Sequence, residues 1–402
     1  CFLFASIIIK AQFTQTRFLG CGECKMRAIS PVDLDMDGDL DLVMDNYHTS
    51  RIDWMTNDGK GNYSSVKQLL KPKINQLSFF VVDFDGDGDM DIFTDHDFSN
   101  EIYYHENEGD LTYKTPVLVK NNYEVNSFSF MAAEDFDLDG KKELIVSNPG
   151  MRGILFYKKL SNNTFEESVK YNFMSKGGHR FTVIDFDQDG DKDIVGQGTN
   201  GGFNFFENEG AGKFEKARTL MTFGANQYAS SFDIGDVDGD GDYDIITGRY
   251  GFYTTLFYND GNNFFPTSIT IDINKNVNFA DVYFSDVDGD EDLDIVLDSK
   301  IGTGNNAEHA GWYENFGAGQ FSKFKAIFTN DQLPDMILPV DIDGDGDEDY
   351  VSKTYSKLNM YYKKNLYNSP SVTGQIFQDE NSNGIKDAGE KLLLYQNLLK
   401  IN

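Results

Sequence analysis

Short apolar runs rich in Phe, Tyr, Val and Ile recur along the chain, separated by clusters of Asp, Gly and Asn. Between residues 79 and 119 the runs FFVVDFD, MDIFTDH, EIYYHEN and LTYKTPVLV follow one another in this way. Runs of that length, with β-branched and aromatic residues bounded by turn formers, predict strands. Phe79, Phe80, Val81 and Val82 are apolar without alternation, as expected of a strand covered on both faces. A helical period is absent apart from an ambiguous leucine-rich stretch at 392–401.

The turn clusters are themselves periodic. One nonapeptide recurs at 33, 83, 135, 185, 236, 286 and 341, reading DLDMDGDLD, DFDGDGDMD, DFDLDGKKE, DFDQDGDKD, DVDGDGDYD, DVDGDEDLD and DIDGDGDED. The mean spacing is about 51 residues. A second motif follows most copies: an aromatic pair, a Gly-rich turn and another aromatic, as in WMTNDGKGNY (54–63), FFENEGAGKF (205–214) and WYENFGAGQF (312–321). Each period thus holds four strands, and seven such units predict an all-β chain folded as a seven-bladed β-propeller with four-stranded blades. The seventh repeat stops after its third strand, NMYYKKN (359–365). Residues 13–19, FTQTRFL, resemble the fourth strands FEKARTL (214–220) and FSKFKAI (321–327). The N-terminal segment is therefore expected to close the last blade, which removes an exposed edge.

Charge sharpens the picture. The 402 residues include 66 acidic and 35 basic side chains, a net charge of −31, which disfavours nucleic acid and anionic membrane as partners. With 34 Phe and 21 Tyr the chain is too apolar for an acidic disordered tail. The acidity is local, since 36 of the 66 acidic residues lie in the nonapeptides. Cysteines occur only at 1, 21 and 24, so neither a disulfide framework nor a Cys/His zinc site is expected. Cys21-Gly-Glu-Cys24 has redox spacing but no βαβ context, and reads as a small local disulfide or two free thiols.

D-x-D-x-D-G-x-x-D offers only oxygen: carboxylates at positions 1, 3, 5 and 9 and a main-chain carbonyl at 7. Hard oxygen donors in a flexible loop suit Ca²⁺, whereas Mg²⁺ demands a tighter octahedron and softer metals want N or S. The candidate ligands of the first two loops are Asp33, Asp35, Asp37, Asp39 and Asp41, then Asp83, Asp85, Asp87, Asp89 and Asp91. The third offers Asp135, Asp137, Asp139, Lys141 through its carbonyl, and Glu143; the fourth Asp185, Asp187, Asp189, Asp191 and Asp193. The fifth carries Asp236, Asp238, Asp240, Asp242 and Asp244, the sixth Asp286, Asp288, Asp290, Asp292 and Asp294, and the seventh Asp341, Asp343, Asp345, Asp347 and Asp349. Unlike an EF-hand, these loops have no Glu at position 12, where Met44 and Thr94 stand, so the acid at 9 is assigned as the last ligand. Two charges 4 Å apart repel by about 4 kcal/mol at an effective dielectric of 20, so cation-free clusters should fray. The plain alternative is an Asp/Gly turn without metal. Two loops depart most from the pattern: the third carries Lys141, Lys142 and the longer Glu143, and the sixth has Glu291 where Gly is expected, which would strain a left-handed turn.

The seven loops and their Asn-acid-Gly turns resemble FG-GAP/VCBS repeats, as in integrin α-subunit propellers and many bacterial secreted proteins. The resemblance spans 13–368 and implies a seven-bladed propeller with Ca²⁺ between the first two strands of each blade. It implies no single activity, because propellers host binding modules and enzymes alike. Residues 373–390, TGQIFQDENSNGIKDAGE, fill an EF-type loop with Asp379, Asn381, Asn383, Ile385 through its carbonyl, Asp387 and Glu390. The strand-like VTGQIFQ before it makes the segment similar to calcium-binding B-type repeats of bacterial surface adhesins. Residues 371–402 are accordingly read as an incomplete second module with one further Ca²⁺, or else as a turn without metal.

CFLFASIII (1–9) is apolar and followed by Lys10, Ala11 and Gln12. It reads as the remnant of a secretory signal over 1–12, the competing reading being a buried strand. No run reaches the length of a transmembrane helix.

In an up-and-down blade the calcium loops share one face with the turns between strands 3 and 4. The opposite face receives irregular segments such as NYHTSR (46–51), HDFSNE (96–101), KGGHR (176–180), GRYGFYTT (248–255) and KIGTGNNAEHAG (300–311). Tyr47, Phe98, Arg249, Tyr250, Phe252 and Tyr253 there suit sugar stacking or protein contact, though ordinary solvated loops would look the same. Catalytic signatures are poor: G-x-S-x-G, H-E-x-x-H and phosphate loops do not occur, and His48, His96, His105, His179 and His309 are scattered. The expectation is a secreted or cell-surface, non-catalytic adhesion or recognition scaffold for extracellular glycan or protein. The alternatives are a carbohydrate-active enzyme on a propeller, such as a polysaccharide lyase, and a passive spacer.

Overall fold

A computed structural model describes residues 13, 17–19, 26, 28–46, 49–71, 76–96, 101–120, 130–147, 153–172, 180–198, 202–214, 217–223, 229–249, 254–272, 281–301, 308–329, 336–354 and 359–365. Among them every regular element is a β-strand, and the strands form seven four-stranded antiparallel sheets. The signal-like run, Cys21, Cys24 and the 371–402 module lie outside the described residues.

Blades are numbered here by their nonapeptides. Blade 1 consists of Ile29–Val32, Asp41–Asn46, Arg51–Met55 and Lys67–Leu70 in that order. Its second strand, DLVMDN, is buried at every position, because a middle strand is covered by a neighbouring blade on each face. The pattern holds around the ring: Leu42, Ile92, Leu144, Ile194, Ile245, Ile295 and Tyr350, each just after a nonapeptide's last acid, are at most 1% exposed.

Blade 7 shows how the ring closes. Met336–Val340, Asp349–Thr354 and Asn359–Lys363 come from the end of the described chain, and Arg17–Phe18 supplies the fourth strand. Arg17 pairs with Tyr362 and Phe18 with Tyr361, and Phe13 bridges to Asn365. The expectation drawn from the missing fourth strand is therefore met.

Seven apolar clusters fill the seven junctions between consecutive blades. The junction of blades 2 and 3 is aromatic: Phe84 meets Phe93 edge-on at 5.0 Å, and Phe165 stands over Tyr104 at 5.5 Å, geometry worth about 1 kcal/mol per pair beyond area burial. The closing junction of blades 7 and 1 instead packs Met26, Met44, Met55 and Met360 around Tyr362, flexible side chains that fill an irregular gap.

Candidate metal centres

Each nonapeptide connects the first two strands of its blade, and its alternation explains its shape. The apolar residue at position 2 (Leu34, Phe84, Phe136, Phe186, Val237, Val287 or Ile342) is at most 3% exposed and plugs a junction between blades. The acids on either side of it are thereby held toward the loop interior. Position 1 accepts the N–H of position 6, as in Gly38 to Asp33 at 3.0 Å and Gly190 to Asp185 at 3.1 Å. Position 5 accepts the N–H of position 7, as in Asp191 to Asp189 at 3.0 Å.

These bonds require a left-handed backbone at positions 4 and 6. Met36, Leu138 and Gln188 take φ of 60°, 57° and 62° at position 4, at a cost of roughly 1–2 kcal/mol each. Glu291 at position 6 takes φ 73°, and its N–H still reaches Asp286 at 3.0 Å. The sixth loop thus keeps its geometry despite the missing glycine and carries the strain expected of it.

The acid at position 9 is the hub. Asp41, Asp91, Glu143, Asp193, Asp244, Asp294 and Asp349 are at most 4% exposed. One oxygen of each accepts the N–H of its loop's position 2, for example Phe186 to Asp193 at 2.9 Å and Val287 to Asp294 at 2.9 Å. In every blade but the third, the other oxygen accepts the N–H of an Asn that follows the third strand: Asn57, Asn107, Asn208, Asn259, Asn315 or Asn365, at 2.7–2.9 Å. Burial pushes these carboxyls up, to about 6 for Asp41, Asp91 and Asp193, about 7 for Asp244 and about 8 for Asp294 and Asp349. A cation beside them would draw them back down.

The predicted ligands converge. Among the described residues, seven groups of three or more metal-capable side chains have ligand atoms within 4.8 Å of one another, among them Asp33/Asp35/Asp37, Asp83/Asp85/Asp87, Asp135/Asp137/Glu143, Asp185/Asp187/Asp193 and Asp236/Asp238/Asp244. Buried oxygens of Asp137, Asp187, Asp238, Asp288 and Asp343, all at position 3, have no hydrogen-bond partner, nor do Oδ1 of Asp33 and Asp185. Burying an acceptor without a partner is costly, and an oxygen-only donor set with spare lone pairs fits a hard divalent cation. Asp39 at position 7 faces elsewhere: a Cβ on Gly59, in the turn between strands 3 and 4, would stand 2.5 Å from its Oδ1. Gly59 also has φ 67°, so both space and backbone demand glycine there.

Sequence reasoning noted the Asn-acid-Gly turn but missed its role. In blades 1, 4, 6 and 7 the Asn side chain reaches the loop of the preceding blade: Asn57 donates to Leu40 O (3.1 Å) of its own loop and, across the closing junction, to Ile342 O (2.7 Å), and Asn208 reaches Phe136 O at 3.4 Å. Asn315 donates to Leu293 O and Val237 O at 3.1 and 2.8 Å, and Asn365 reaches Val287 O at 2.8 Å. The recurrence of Asn at one place in the second motif was the available signal.

Blade 3 lacks this Asn and has Lys159 in its register position. Lys159 crosses to blade 2, 2.9 Å from Glu106 and 3.3 Å from Asp85, while Lys142 donates to Asp83 O at 2.7 Å. Lys158 bonds Asp137 and lies 3.2 Å from Glu143. A cavity of about 670 Å³ opens here, lined by Lys114, Lys141, Lys142, Lys158 and Lys159 among others.

Of the opposite-face candidates, Tyr47, Phe98, Tyr250, Phe252 and Tyr253 lie outside the described residues, and Arg249 is placed only as a strand end paired with Ala229. His96 and His105 are buried on either side of the Thr94 hydroxyl, at 2.8 and 2.9 Å. Burial lowers both to about 4, so they are neutral hydrogen-bonding groups at pH 7.

Comparison with known proteins fits this architecture. A family model described as an FG-GAP-like repeat matches residues 26–94, 135–196 and 185–247. No curated protein matches the chain. Among solved structures, a lectin of Agrocybe aegerita that specifically recognises non-reducing terminal N-acetylglucosamine is similar at a TM-score of 0.56 and 18% identity, over 76% of this chain and 80% of that one. BBS1N, from its complex with ARL6DN, gives a TM-score of 0.58 at 10% identity over 89% of this chain and 98% of its own. At such identities the likeness is one of fold. The chain is a seven-bladed β-propeller whose residues 26–94 and 135–247 match an FG-GAP-like repeat.

Proposed function

We propose that this protein is a secreted, calcium-stabilised propeller that serves as a non-catalytic recognition scaffold for an extracellular glycan or protein. The observation that carries the calcium reading is the position-3 oxygen left without a partner in the loops of blades 4, 5 and 6, on Asp187, Asp238 and Asp288, where the donors are all oxygen. Asp at 1, 3 and 5, the carbonyl of 7 and the acid at 9 would hold the ion, and the ion would supply fixed positive charge that keeps the loop closed. The 379–390 segment is assigned one further Ca²⁺ on its sequence alone.

Recognition is assigned to the opposite face. One face is taken up by cation loops and the turns packed on them, so the irregular connections of the other are left to make contacts. The fold similarity to a lectin supports a glycan as the first ligand class to test.

A glycan and matrix-protein array, run on the full chain with 2 mM Ca²⁺ and again with EDTA, tests the reading. Selective capture that weakens in EDTA is expected. Capture should also be lost in a variant with alanine at Arg249, Tyr250, Phe252 and Tyr253. An array that captures nothing in calcium would leave the passive spacer as the better account. Depolymerisation of any captured polysaccharide would favour the enzyme.

A further inference from the structure

The seven cradles are not alike, and the difference arises on the third strand rather than in the loop. Strand register places Thr56, Glu106, Lys158, Glu207, Tyr258, Glu314 and Lys364 at one equivalent position, directly after Met55, His105, Tyr157, Phe206, Phe257, Tyr313 and Lys363, the residues that pair with the buried residue following each position-9 acid. From there a long side chain reaches back over its own hairpin. Lys158 bonds Asp137, lies 3.2 Å from Glu143 and is 3.7 Å from Asp139. Lys364 bonds Asp343 and lies 2.8 Å from Asp345. In blade 6 the same position holds Glu314, which shares a hydrogen bond with Asp288 and is itself paired with Lys325 at 2.6 Å.

We infer that Lys158 and Lys364 are built-in counter-ions that take the place of Ca²⁺ in blades 3 and 7. The inference rests on the calcium reading of the other loops. Each ammonium engages the carboxylates at positions 3 and 5, or 3 and 9, that a divalent ion needs as ligands, and an ion admitted beside it would face a fixed positive charge at contact distance. One oxygen of Asp137 and one of Asp343 remain unbonded, but in both residues the other oxygen is held by the lysine. Blade 3 carries the substitution furthest, with Lys141 and Lys142 inside the loop and only four acids. Lys159 does not extend the rule to blade 2: it touches Asp85 alone among that loop's acids and lies closer to Glu106. Blades 3 and 7 stand almost opposite each other, so two distant points of the ring stay latched at any calcium level while the other five respond to it.

Bound Ca²⁺ per full-length chain is counted by native mass spectrometry and by equilibrium dialysis at 1 mM CaCl₂. The readout is the difference between variants, because the 379–390 segment carries its own candidate ligands. Lys158→Thr and Lys364→Thr, which install the residue of blade 1, should each bind one more Ca²⁺ than the natural chain. Glu207→Lys, the reciprocal change in blade 4, should bind one fewer and serves if a lysine variant does not fold. Equal counts across the natural chain and these variants would overturn the inference while leaving calcium binding in place. A natural chain that binds no Ca²⁺ at all would overturn both.

Discussion

The loops of blades 5 and 3 begin from the same nonapeptide and reach opposite solutions to one electrostatic problem. Blade 5 gathers Asp236, Asp238, Asp240, Asp242 and Asp244 with no basic residue in the loop, and its third strand brings up Tyr258, whose hydroxyl donates to Gly319 O of the next blade at 3.3 Å. Asp244 is pushed up to about 7, chiefly by burial. Blade 3 has four acids, and Lys158 comes up from its third strand to meet three of them. Burial raises Glu143 as well, but Lys158 opposes the rise. A shared loop therefore fixes backbone shape, whereas the charge that completes it is chosen one hairpin away.

The broadest test of this contrast removes the external cation. Excess EDTA should lower the melting temperature by on the order of 20 °C, since each site held at 100 times its Kd contributes about 2.7 kcal/mol. Hydrogen exchange should place that loss in blades such as the fifth and spare blade 3. Uniform deprotection of all seven loops would break the comparison.

The hub acids sharpen it. Asp244→Ala strands the buried N–H groups of Asn259 and Val237 and should cost about 3 kcal/mol in urea unfolding. Glu143→Ala loses one such N–H, from Phe136, and is expected to cost about 2 kcal/mol.

Acidity offers a third handle. Without cation, Asp244, Asp294 and Asp349 hold their protons up to about 7, 8 and 8 when folded, against about 3.9 when unfolded. The folded state then binds more protons between these limits, so stability is greatest at low pH and is lost as pH rises through 7–8. In EDTA the melting temperature should be several degrees higher at pH 5.5 than at pH 8.5, and saturating Ca²⁺ should abolish or invert that slope because it binds carboxylates.

The smallest effect expected is that of Asn315→Ala, which frees two carbonyls on neighbouring loops and should cost about 1–2 kcal/mol. Blade 3 has no equivalent to lose.

Much of this architecture was legible in the chain because it repeats. Seven copies of the nonapeptide gave the blade count, and NMYYKKN without a following strand gave the closure by Arg17–Phe18. Glu291 announced its own strain. What stayed hidden depends on contacts that single-period reading does not supply. Lys158 and Lys364 lie 21 residues beyond the position-3 acids they bond, Asp137 and Asp343, and only hairpin register carries them back. The left-handed turns at Met36, Leu138 and Gln188 were hinted at by Gly in the same place in the other loops, such as Gly86 and Gly239. The Asn57 bridge to Ile342 joins residues 285 apart, a distance no local pattern encodes.

The pairing of Arg17 with Tyr362 has a further consequence for how the molecule comes into being. The segment that leaves the ribosome early cannot find its partner until some 345 residues have followed it. Joining ends that far apart costs roughly 5 kcal/mol of chain entropy. Circularity is thus a late event of biosynthesis, and until it happens the methionine-lined flank of blade 1 waits for a neighbour still being made.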